Sequence, residues 1–205
     1  MGRPAKIASG VRTELRLLLS LRVLPPRVAV FCWRARRHAM RSGDRFSLDS
    51  ATRPAELAQL LALAGPRTSV VELGTGTGWS AIALALHVRG RRVVSCDPFA
   101  RAERDAYLHL AGRSARARIE LRREPDTAGP RPGDAPVQLL FVDSSHEREA
   151  TVAAFRGWRD ALAPGAVVVF HDHGHPSYPG VREAVADLQL SGREEGGLFV
   201  WRAPG

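Results

Sequence analysis

Short apolar segments alternate with helical segments along most of the chain, and this alternation constrains the fold more than any other feature. The apolar segments, such as TSVVEL and VQLLFVD, are rich in Val and Leu throughout rather than at every second position. That composition is typical of strands buried on both faces of a sheet. Parallel strands also need long crossover connections, which the intervening helices provide. The sequence therefore predicts an α/β fold, a doubly wound parallel sheet with helices on both faces.

The predicted elements follow one another with few interruptions. Strands are predicted at 68–73, 91–96, 117–122, 137–143, 166–171 and 198–202, and helices at 79–88, 103–111, 147–163 and 181–188. A loop rich in Pro and Gly, 125–136, precedes the fourth strand, and Pro164-Gly165 is expected to end the long helix. A further helix is predicted from Pro54, a residue suited to the first helical position, to Gly65-Pro66.

The N-terminal quarter of the chain has a different composition. Residues 1–53 contain 12 Lys and Arg against three acidic residues, whereas the remaining 152 residues contain 18 of each sign. Helices are predicted at 11–24 and 27–41, separated by Pro25-Pro26. Four apolar residues of the first helix share one face and need a surface to cover: Val11, Leu15, Leu18 and Leu19.

We interpret residues 1–49 as a basic helical extension and residues 50–205 as the main domain. The extension is expected to act either as a helical lid over the ligand site or as a docking arm. Its positive charge fits an acidic partner such as nucleic acid, a membrane surface, or an acidic carrier or substrate. It fits equally a solvated helical surface that is rich in arginine. The sequence leaves both interpretations open.

Cysteine usage and the longest apolar run bear on where the protein works. Cys32 and Cys96 lie far apart and form no CxxC or paired pattern, which predicts a reduced, cytoplasmic protein. The run LRLLLSLRVL is interrupted by Arg16 and Arg22, so no transmembrane segment is expected. A homodimer is compatible with the sequence.

A glycine-rich turn follows the first predicted strand. Gly74, Gly76 and Gly78 permit a tight turn and a close approach to a ligand at the N-terminus of the next helix. The spacing is GxGxG rather than the GxGxxG of dinucleotide sites, and Glu72 would repel a pyrophosphate. A cofactor with cationic groups is therefore favoured. Asp97 ends the second strand, 19 residues after Gly78, where it can accept hydrogen bonds from ribose hydroxyls.

These residues resemble the class I S-adenosylmethionine-dependent methyltransferases. The resemblance lies in ELGTGTG (72–78), in SCDPF (95–99) and in the final strand LFVWR, and it covers roughly residues 50–205. It implies a Rossmann-like, seven-stranded sheet whose last strand is antiparallel and forms a C-terminal hairpin. It also implies S-adenosylmethionine as cofactor, with Ser80 at the cofactor carboxylate and Asp97 at the ribose. The implied cofactor-binding residues are Glu72, Gly74, Thr75, Gly76, Gly78, Ser80 and Asp97.

Polar residues follow the fourth and fifth predicted strands, in FVDSSHE and FHDHGHP. Both segments leave the sheet at its carboxyl edge and are expected to meet there. Three histidines in one stretch fit a metal site, a proton-transfer site or a polar loop. Methyltransferases that act on amino groups of nucleic acids usually carry an Asn/Asp-Pro-Pro-aromatic segment after the fourth strand. Residues 143–146 are Asp-Ser-Ser-His, which counts against that reaction.

The two segments are similar to those of metal-dependent, catechol-type O-methyltransferases. That resemblance implies Asp143 and Asp172 as ligands of Mg²⁺ or another divalent metal, with His173 in place of the family's Asn. It places Asp143 and His146 in the catalytic site, His146 standing where the family has a lysine base. A bound metal lowers the pKa of a hydroxyl, and a nearby histidine can take its proton. His171 and His175 are expected only to hydrogen-bond to backbone.

The sequence therefore predicts an enzyme that transfers a methyl group from S-adenosylmethionine to a small-molecule hydroxyl, with help from a divalent metal, a histidine base or both. Two alternatives stay open. A nucleic-acid methyltransferase would use the basic residues 1–45 to bind RNA or DNA. A nicotinamide-dependent oxidoreductase would share the fold but conflicts with Glu72 and the GxGxG spacing.

Overall fold

A computed structural model describes residues 18–205. The strands are β1 (Ser69–Leu73), β2 (Arg92–Cys96), β3 (Ile119–Arg122), β4 (Val137–Val142), β5 (Leu162–Phe170), β6 (Arg193–Glu195) and β7 (Leu198–Arg202). The helices are α1 (Pro26–Ser42), α2 (Arg45–Ser50), α3 (Pro54–Ala64), α4 (Trp79–His87), α5 (Arg104–Ala111), α6 (Arg113–Arg116), α7 (Arg148–Arg159) and α8 (Pro179–Asp187). A short 3₁₀ helix, Asp126–Ala128, lies in the loop before β4.

All seven strands form one sheet in the order β3-β2-β1-β4-β5-β7-β6. Strands β1 to β5 are parallel, and β7 runs antiparallel between β5 and β6. The chain moves outward from β1 through β2 to β3 and then returns to β4 on the other side of β1. This reversal creates the crevice in which doubly wound folds bind their ligands. The predicted doubly wound sheet with an antiparallel last strand and a C-terminal hairpin is confirmed.

Each face of the sheet has its own hydrophobic core, because alternate strand residues point to opposite faces. On the first face, Val70 and Leu139 pack with residues of α1, α3, α4 and α5. On the second face, Val71 and Leu140 pack with residues of α7 and α8. Helix α4 is apolar all round, and its residues 81–85 are fully buried. Such a helix needs partners on every side, which the sheet and α1, α3 and α5 supply.

The junction between α7 and β5 differs from the prediction. Helix α7 ends at Arg159, and β5 begins at Leu162, so Pro164-Gly165 lie inside a strand instead of ending a helix. The β4–β5 register shifts beside them, between Val137 and Leu139, and Gly165 has a φ of 68°. Proline and glycine are tolerated within a strand at such irregularities. Strand β6 is the seventh strand that the resemblance implies, although its position was not identified in the sequence; it has three residues, Arg-Glu-Glu.

The N-terminal helices also differ in part from the prediction. The second helix is confirmed as α1, and residues 18–21 are helical. Val11 and Leu15 lie outside the described residues, whereas Leu18 and Leu19, predicted to face inward, are 46% and 47% exposed. The inward positions are instead Leu21, Leu24, Val28 and Phe31, which are spaced three or four residues apart and buried in the first core. Within residues 18–205, no helix combines the length and the apolar character needed to span a membrane.

Candidate active site

A cavity of about 630 Å³ lies at the carboxyl ends of β1, β2, β4 and β5. Its size is within the usual range for small-molecule sites. Eight of the residues predicted to bind cofactor, bind metal or catalyse border it: Gly74, Thr75, Gly76, Ser80, Asp97, Asp143, His146 and Asp172. Glu72, Gly78 and His173 do not border it. The N-terminal segment adds apolar lining through Leu21, Leu24 and Cys32.

The glycine turn is in direct contact with the loop that follows β4. Gly74 has a φ of 96°, and a Cβ placed on it would lie 2.0 Å from the carbonyl oxygen of Asp143. No side chain fits there, so this position requires glycine for both its conformation and its packing. The Asp143 amide also donates a hydrogen bond of 2.8 Å to the Leu73 carbonyl. The predicted cofactor loop and the predicted acidic loop are therefore one connected unit.

Glu72 lies at the end of β1 and is fully buried. Its carboxylate accepts a short hydrogen bond from the Ser95 hydroxyl. Burial raises the pKa of Glu72 to about 7, and the nearby carboxylates of Asp143 and Asp97 act in the same direction, against hydrogen bonds from Ser80 and Ser95. A cationic ligand in the cavity would favour the ionised form.

Asp97 joins the glycine turn to α5. Its Oδ2 accepts hydrogen bonds from the Gly76 amide at 3.0 Å and from Nη2 of Arg104 at 2.6 Å. Its Oδ1 accepts one from the Phe99 amide at 2.8 Å, which leaves that oxygen capacity for one further donor. Arg104 also donates to the Gly76 carbonyl at 2.7 Å, so it holds both the turn and the acid. The sequence analysis did not identify Arg104.

Helix α2 lies against the glycine turn and is held by two hydrogen bonds from other elements. The Ser47 hydroxyl donates to Oγ1 of Thr77 at 2.9 Å, in a buried position. Asp44 caps α2 by accepting from the Ser47 amide, and the Tyr107 hydroxyl of α5 donates to its other oxygen. We call these contacts the α2 clasp. The spacing of Asp44 and Ser47 is a helix-capping signal in the sequence, but no sequence pattern indicated their partners, Thr77 in the glycine turn and Tyr107 in α5.

Phe46, also on α2, lies over the turn. A Cβ on Gly76 would be 3.8 Å from its ring, and the guanidinium of Arg101 lies 3.4 Å from the ring centroid. Phe99 borders the cavity nearby and is 70% exposed. Both residues therefore border the cavity beside the glycine turn and Asp97.

Asp143, His146 and Asp172 come together in the cavity where β4 and β5 end, beside the glycine turn. One ligand atom from each lies within 4.8 Å of the others. Nε2 of His146 lies 3.1 Å from Oδ2 of Asp172. Burial raises the pKa of Asp172, but the imidazoles of His146 and His171 outweigh burial and hold it well below its usual range. Two carboxylates and one imidazole at this spacing suit a divalent cation.

His171 lies among carboxylates, which corrects the prediction that it only bonds to backbone. Its Nδ1 is 3.1 Å from Oδ1 of Asp143 and 3.2 Å from Oδ2 of Asp172, and its Nε2 is 3.5 Å from Oε2 of Glu56. Burial would lower the pKa of His171, but the three carboxylates raise it to about 12. The imidazole is therefore protonated at neutral pH and offsets part of the acidic charge. Glu56 belongs to α3, far away in the sequence.

His173 does not join Asp143 and Asp172, contrary to its predicted place among the metal ligands. Its Nδ1 is 3.4 Å from Oε2 of Glu194, and its ring stacks on Phe199 at a centroid distance of 4.8 Å. The reason is the backbone of Asp172, whose φ of 56° turns the chain directly after β5.

His175 behaves as the sequence predicts for a loop residue. Its Nδ1 accepts a hydrogen bond of 3.2 Å from the backbone amide of Ser177. Tyr178 stacks on both His146 and His175, with centroid distances of 4.1 and 4.7 Å. Tyr178 also borders the cavity, so its ring lies beside the site.

Both cysteines, Cys32 on α1 and Cys96 at the end of β2, are free, buried and adjacent to the cavity. Burial raises the pKa of each thiol to about 12. The two thiols are therefore protonated at neutral pH.

The sequence was compared with models of protein families. A model described as a methyltransferase domain matches residues 71–173, which is just over half of the chain and includes both the glycine turn and the acidic cluster. The chain belongs to this methyltransferase family. The match favours methyl transfer over the nicotinamide alternative. A search of curated proteins gave no match.

Several solved methyltransferase structures have the same fold as this chain. The O-methyltransferase TomG from Streptomyces achromogenes, solved with SAM, has a TM-score of 0.66 and 23% identity, over 83% of this chain and 90% of that one. The SAH-bound methyltransferase PaMTH1 from Podospora anserina has a TM-score of 0.69 and 14% identity, over 97% and 96%. An O-methyltransferase from Bacillus cereus, solved with SAH, has a TM-score of 0.63 and 16% identity, over 83% and 90%. The predicted class I methyltransferase fold is confirmed.

Proposed function

We propose that this methyltransferase transfers the methyl group of S-adenosylmethionine to a hydroxyl oxygen of a small molecule. The observation that carries the proposal is the shared cavity, which is bordered both by the glycine turn and by Asp143, His146 and Asp172. Methyl transfer needs the acceptor oxygen in line with the sulfonium, so both sites must open into one space. The structural similarity to TomG and to the Bacillus cereus enzyme, both O-methyltransferases, supports oxygen as the acceptor.

In this proposal the cofactor lies along the glycine turn. Gly74, Thr75 and Gly76 pack against its methionine portion, and Gly78 begins the helix whose N-terminus faces it. Oδ1 of Asp97 accepts a hydrogen bond from a ribose hydroxyl, in addition to the one it accepts from the Phe99 amide. Ser80 binds the cofactor carboxylate, and buried Glu72 supplies negative potential for the cationic groups.

Asp143 and Asp172 would hold a divalent cation such as Mg²⁺, with His146 as a third ligand or as the base that takes the hydroxyl proton. When bound, such a cation lowers the pKa of an acceptor hydroxyl. His146 is placed to receive that proton because its Nε2 lies 3.1 Å from Oδ2 of Asp172, which orients the ring. Protonated His171 holds both acids in place and reduces their mutual repulsion.

We also propose that residues 1–49 serve as a lid on the domain formed by residues 50–205. Support comes from Leu21 and Leu24, which border the cavity, and from the α2 clasp, which holds Phe46 over the glycine turn. The lid would exclude water from the sulfonium and shape the acceptor side.

Two measurements test the proposed function. Calorimetry should show that S-adenosylhomocysteine binds and that NAD⁺ does not. With radiolabelled S-adenosylmethionine, Mg²⁺ and a panel of catechols, phenols, sugar alcohols and amines, label should appear on oxygen. Binding of NAD⁺ instead, or transfer only to nitrogen acceptors, would contradict the proposal.

A further inference from the structure

The outer surface of the N-terminal segment exposes aliphatic side chains. Eight large hydrophobic side chains are exposed among residues 18–205. Three of them, Phe46, Phe99 and Tyr178, border the cavity. The other five all lie between residues 18 and 40: Leu18, Leu19, Val23, Val30 and Met40. Scattered exposed hydrophobics are normal, but their concentration on one segment marks an interaction surface.

A shallow groove of about 330 Å³ runs beside α1 on the first face of the molecule. Its apolar lining comes from α1, the end of α4 and the end of α5: Val30, Phe31, Leu86, Leu110 and Ala111. Arg27 and Arg34 border the same groove. They lie three residues before and four residues after Val30, so the three share one face of α1. An apolar groove between two cations matches an amphiphile with a negative head.

The charge of this segment has one sign. Residues 18–43 contain six arginines and no acidic residue, whereas residues 54–205 contain equal numbers of cations and acids. The exposed aliphatic side chains and the excess positive charge therefore lie on the same segment. They are two independent properties of that segment. Basic helices with exposed aliphatic residues bind at the boundary between lipid head groups and acyl chains.

We propose that this surface, which we call the α1 outer surface and define as Leu18, Leu19, Val23, Arg27, Val30 and Arg34, binds the face of an anionic phospholipid membrane. The arginines contact phosphate groups, and the aliphatic side chains and the groove receive acyl chain segments. The surface suits single-stranded nucleic acid less well, because such sites stack bases on exposed aromatic rings. The only nearby indole ring, that of Trp33 among the described residues, is half-buried and covered by Arg37, at 4.9 Å.

Vesicle co-sedimentation of the full chain tests this surface directly. The probes are vesicles of phosphatidylcholine alone and of phosphatidylcholine with phosphatidylglycerol. The chain should bind the anionic vesicles and not the neutral ones, and binding should weaken as NaCl is added. Because each arginine near an anionic surface adds to the affinity, the variant Arg27→Glu with Arg34→Glu should bind at least roughly tenfold more weakly.

Two further variants separate a defined surface from general charge. Val23→Ser with Val30→Ser keeps the charge but removes aliphatic groups, and it should also weaken binding severalfold. Arg156→Glu with Arg159→Glu changes the net charge as much as Arg27→Glu with Arg34→Glu does. Its two positions are exposed on α7, a helix that packs on the opposite face of the sheet. This control should keep most of the affinity. All variants should keep the wild-type melting temperature, since every altered side chain is exposed.

Four outcomes would overturn the proposal. They are no binding to anionic vesicles, equal binding to neutral vesicles, equal losses in the α1 and α7 arginine variants, and unchanged binding in the valine variant. The first outcome together with salt-sensitive binding of an RNA oligonucleotide or polyglutamate would assign the surface to nucleic acid or to an acidic protein. The proposal does not depend on the acceptor, so its failure would leave the proposed methyl transfer untouched.

Discussion

Asp143 and Asp172 are the side chains on which the proposed chemistry depends most. Substitution by Asn keeps their shape and removes the charge that would hold a cation. We expect Asp143→Asn or Asp172→Asn to lower kcat by roughly 10²-fold or more, because the acceptor hydroxyl would no longer be polarised. The affinity for S-adenosylhomocysteine should change little. Asp160→Asn, at the exposed residue that directly follows α7, is the control. Normal kcat in both active-site variants would refute a role for the cluster.

His146 can act as a ligand or as a base, and a chelator distinguishes the roles. We expect His146→Ala to lower the rate by roughly 10²–10⁴-fold, the usual contribution of a general base. If wild-type activity survives excess EDTA while the variant is inactive, His146 acts as a base without metal. If EDTA abolishes wild-type activity and Mg²⁺ restores it, the metal is required. Wild-type activity in His146→Ala, Asp143→Asn and Asp172→Asn alike would mean that the segments FVDSSHE and FHDHGHP are only polar loops.

Buried Glu72 makes the stability of the cofactor-free protein depend on pH. Its pKa rises from 4.5 in the unfolded chain to about 7 in the fold, so its contribution to stability is present below pH 4.5 and lost as pH rises to 7. Glu72→Gln does not ionise. Relative to wild type, the free energy of unfolding of this variant should therefore increase by roughly 2 kcal/mol between pH 5 and pH 8. Urea unfolding at both pH values measures this gain. Glu183→Gln, at an exposed site, should show none.

At the scale of single residues, the sequence analysis identified polar residues at the ends of strands. It missed the residues of helices that contact them. Glu72 lies at the end of β1, while Asp97, Asp143 and Asp172 follow strands, and parallel strands end at one edge of the sheet. Arg104 and Glu56 enter from helices, so their contacts with Asp97 and His171 depend on packing that no local pattern records. His173 was misplaced because the left-handed turn at Asp172 is not visible in the sequence.

At the scale of elements, the α2 clasp connects a short helix to the cofactor loop. Ser47→Ala removes its buried hydrogen bond to Thr77. The loss should let α2 and Phe46 move away from Gly76 and weaken S-adenosylhomocysteine binding roughly three- to tenfold, which is the range of one net hydrogen bond. Calorimetry measures the effect. Ser42→Ala, at the exposed end of α1, removes only bonds within that helix and should bind normally. Equal affinities in the two variants would show that the clasp does not act on the cofactor.

The order and type of the elements from Pro54 onward could be read almost entirely from the sequence. Continuous apolar strands and the helices between them leave few alternatives. The errors occurred where pairing overrides local preference. Strand β5 contains Pro164-Gly165 because its early residues pair with the irregular start of β4. Strand β6 carries no apolar pattern, and only its antiparallel pairing with β7 makes it a strand.

At the scale of the whole molecule, α1 belongs to the first core and is not an independent arm. Deleting residues 1–45 would remove seven buried core residues: Leu21, Leu24, Val28, Phe31, Cys32, Ala35 and Ala39. We expect the truncated chain to aggregate or to unfold without a cooperative transition, because the matching surfaces of α4 and α5 would be exposed. Deletion of residues 1–17 removes none of these side chains and serves as the control. Thermal unfolding followed by circular dichroism compares the two, and a cooperative transition in the longer deletion would contradict this prediction.

The two thiols beside the cavity allow ligand binding to be followed by the rate of their alkylation. At neutral pH both cysteines are almost entirely protonated, so an alkylating reagent reacts slowly and only as it enters the cavity. The mass of the intact protein, followed over time with iodoacetamide, should therefore report how often the cavity opens. S-adenosylhomocysteine should slow the modification of Cys96, which lies next to Asp97. A rate unaffected by the ligand would mean that the reagent reaches the thiol by another route. Because these are the only two cysteines in the sequence, ligand occupancy can be timed in the wild-type protein without an added label.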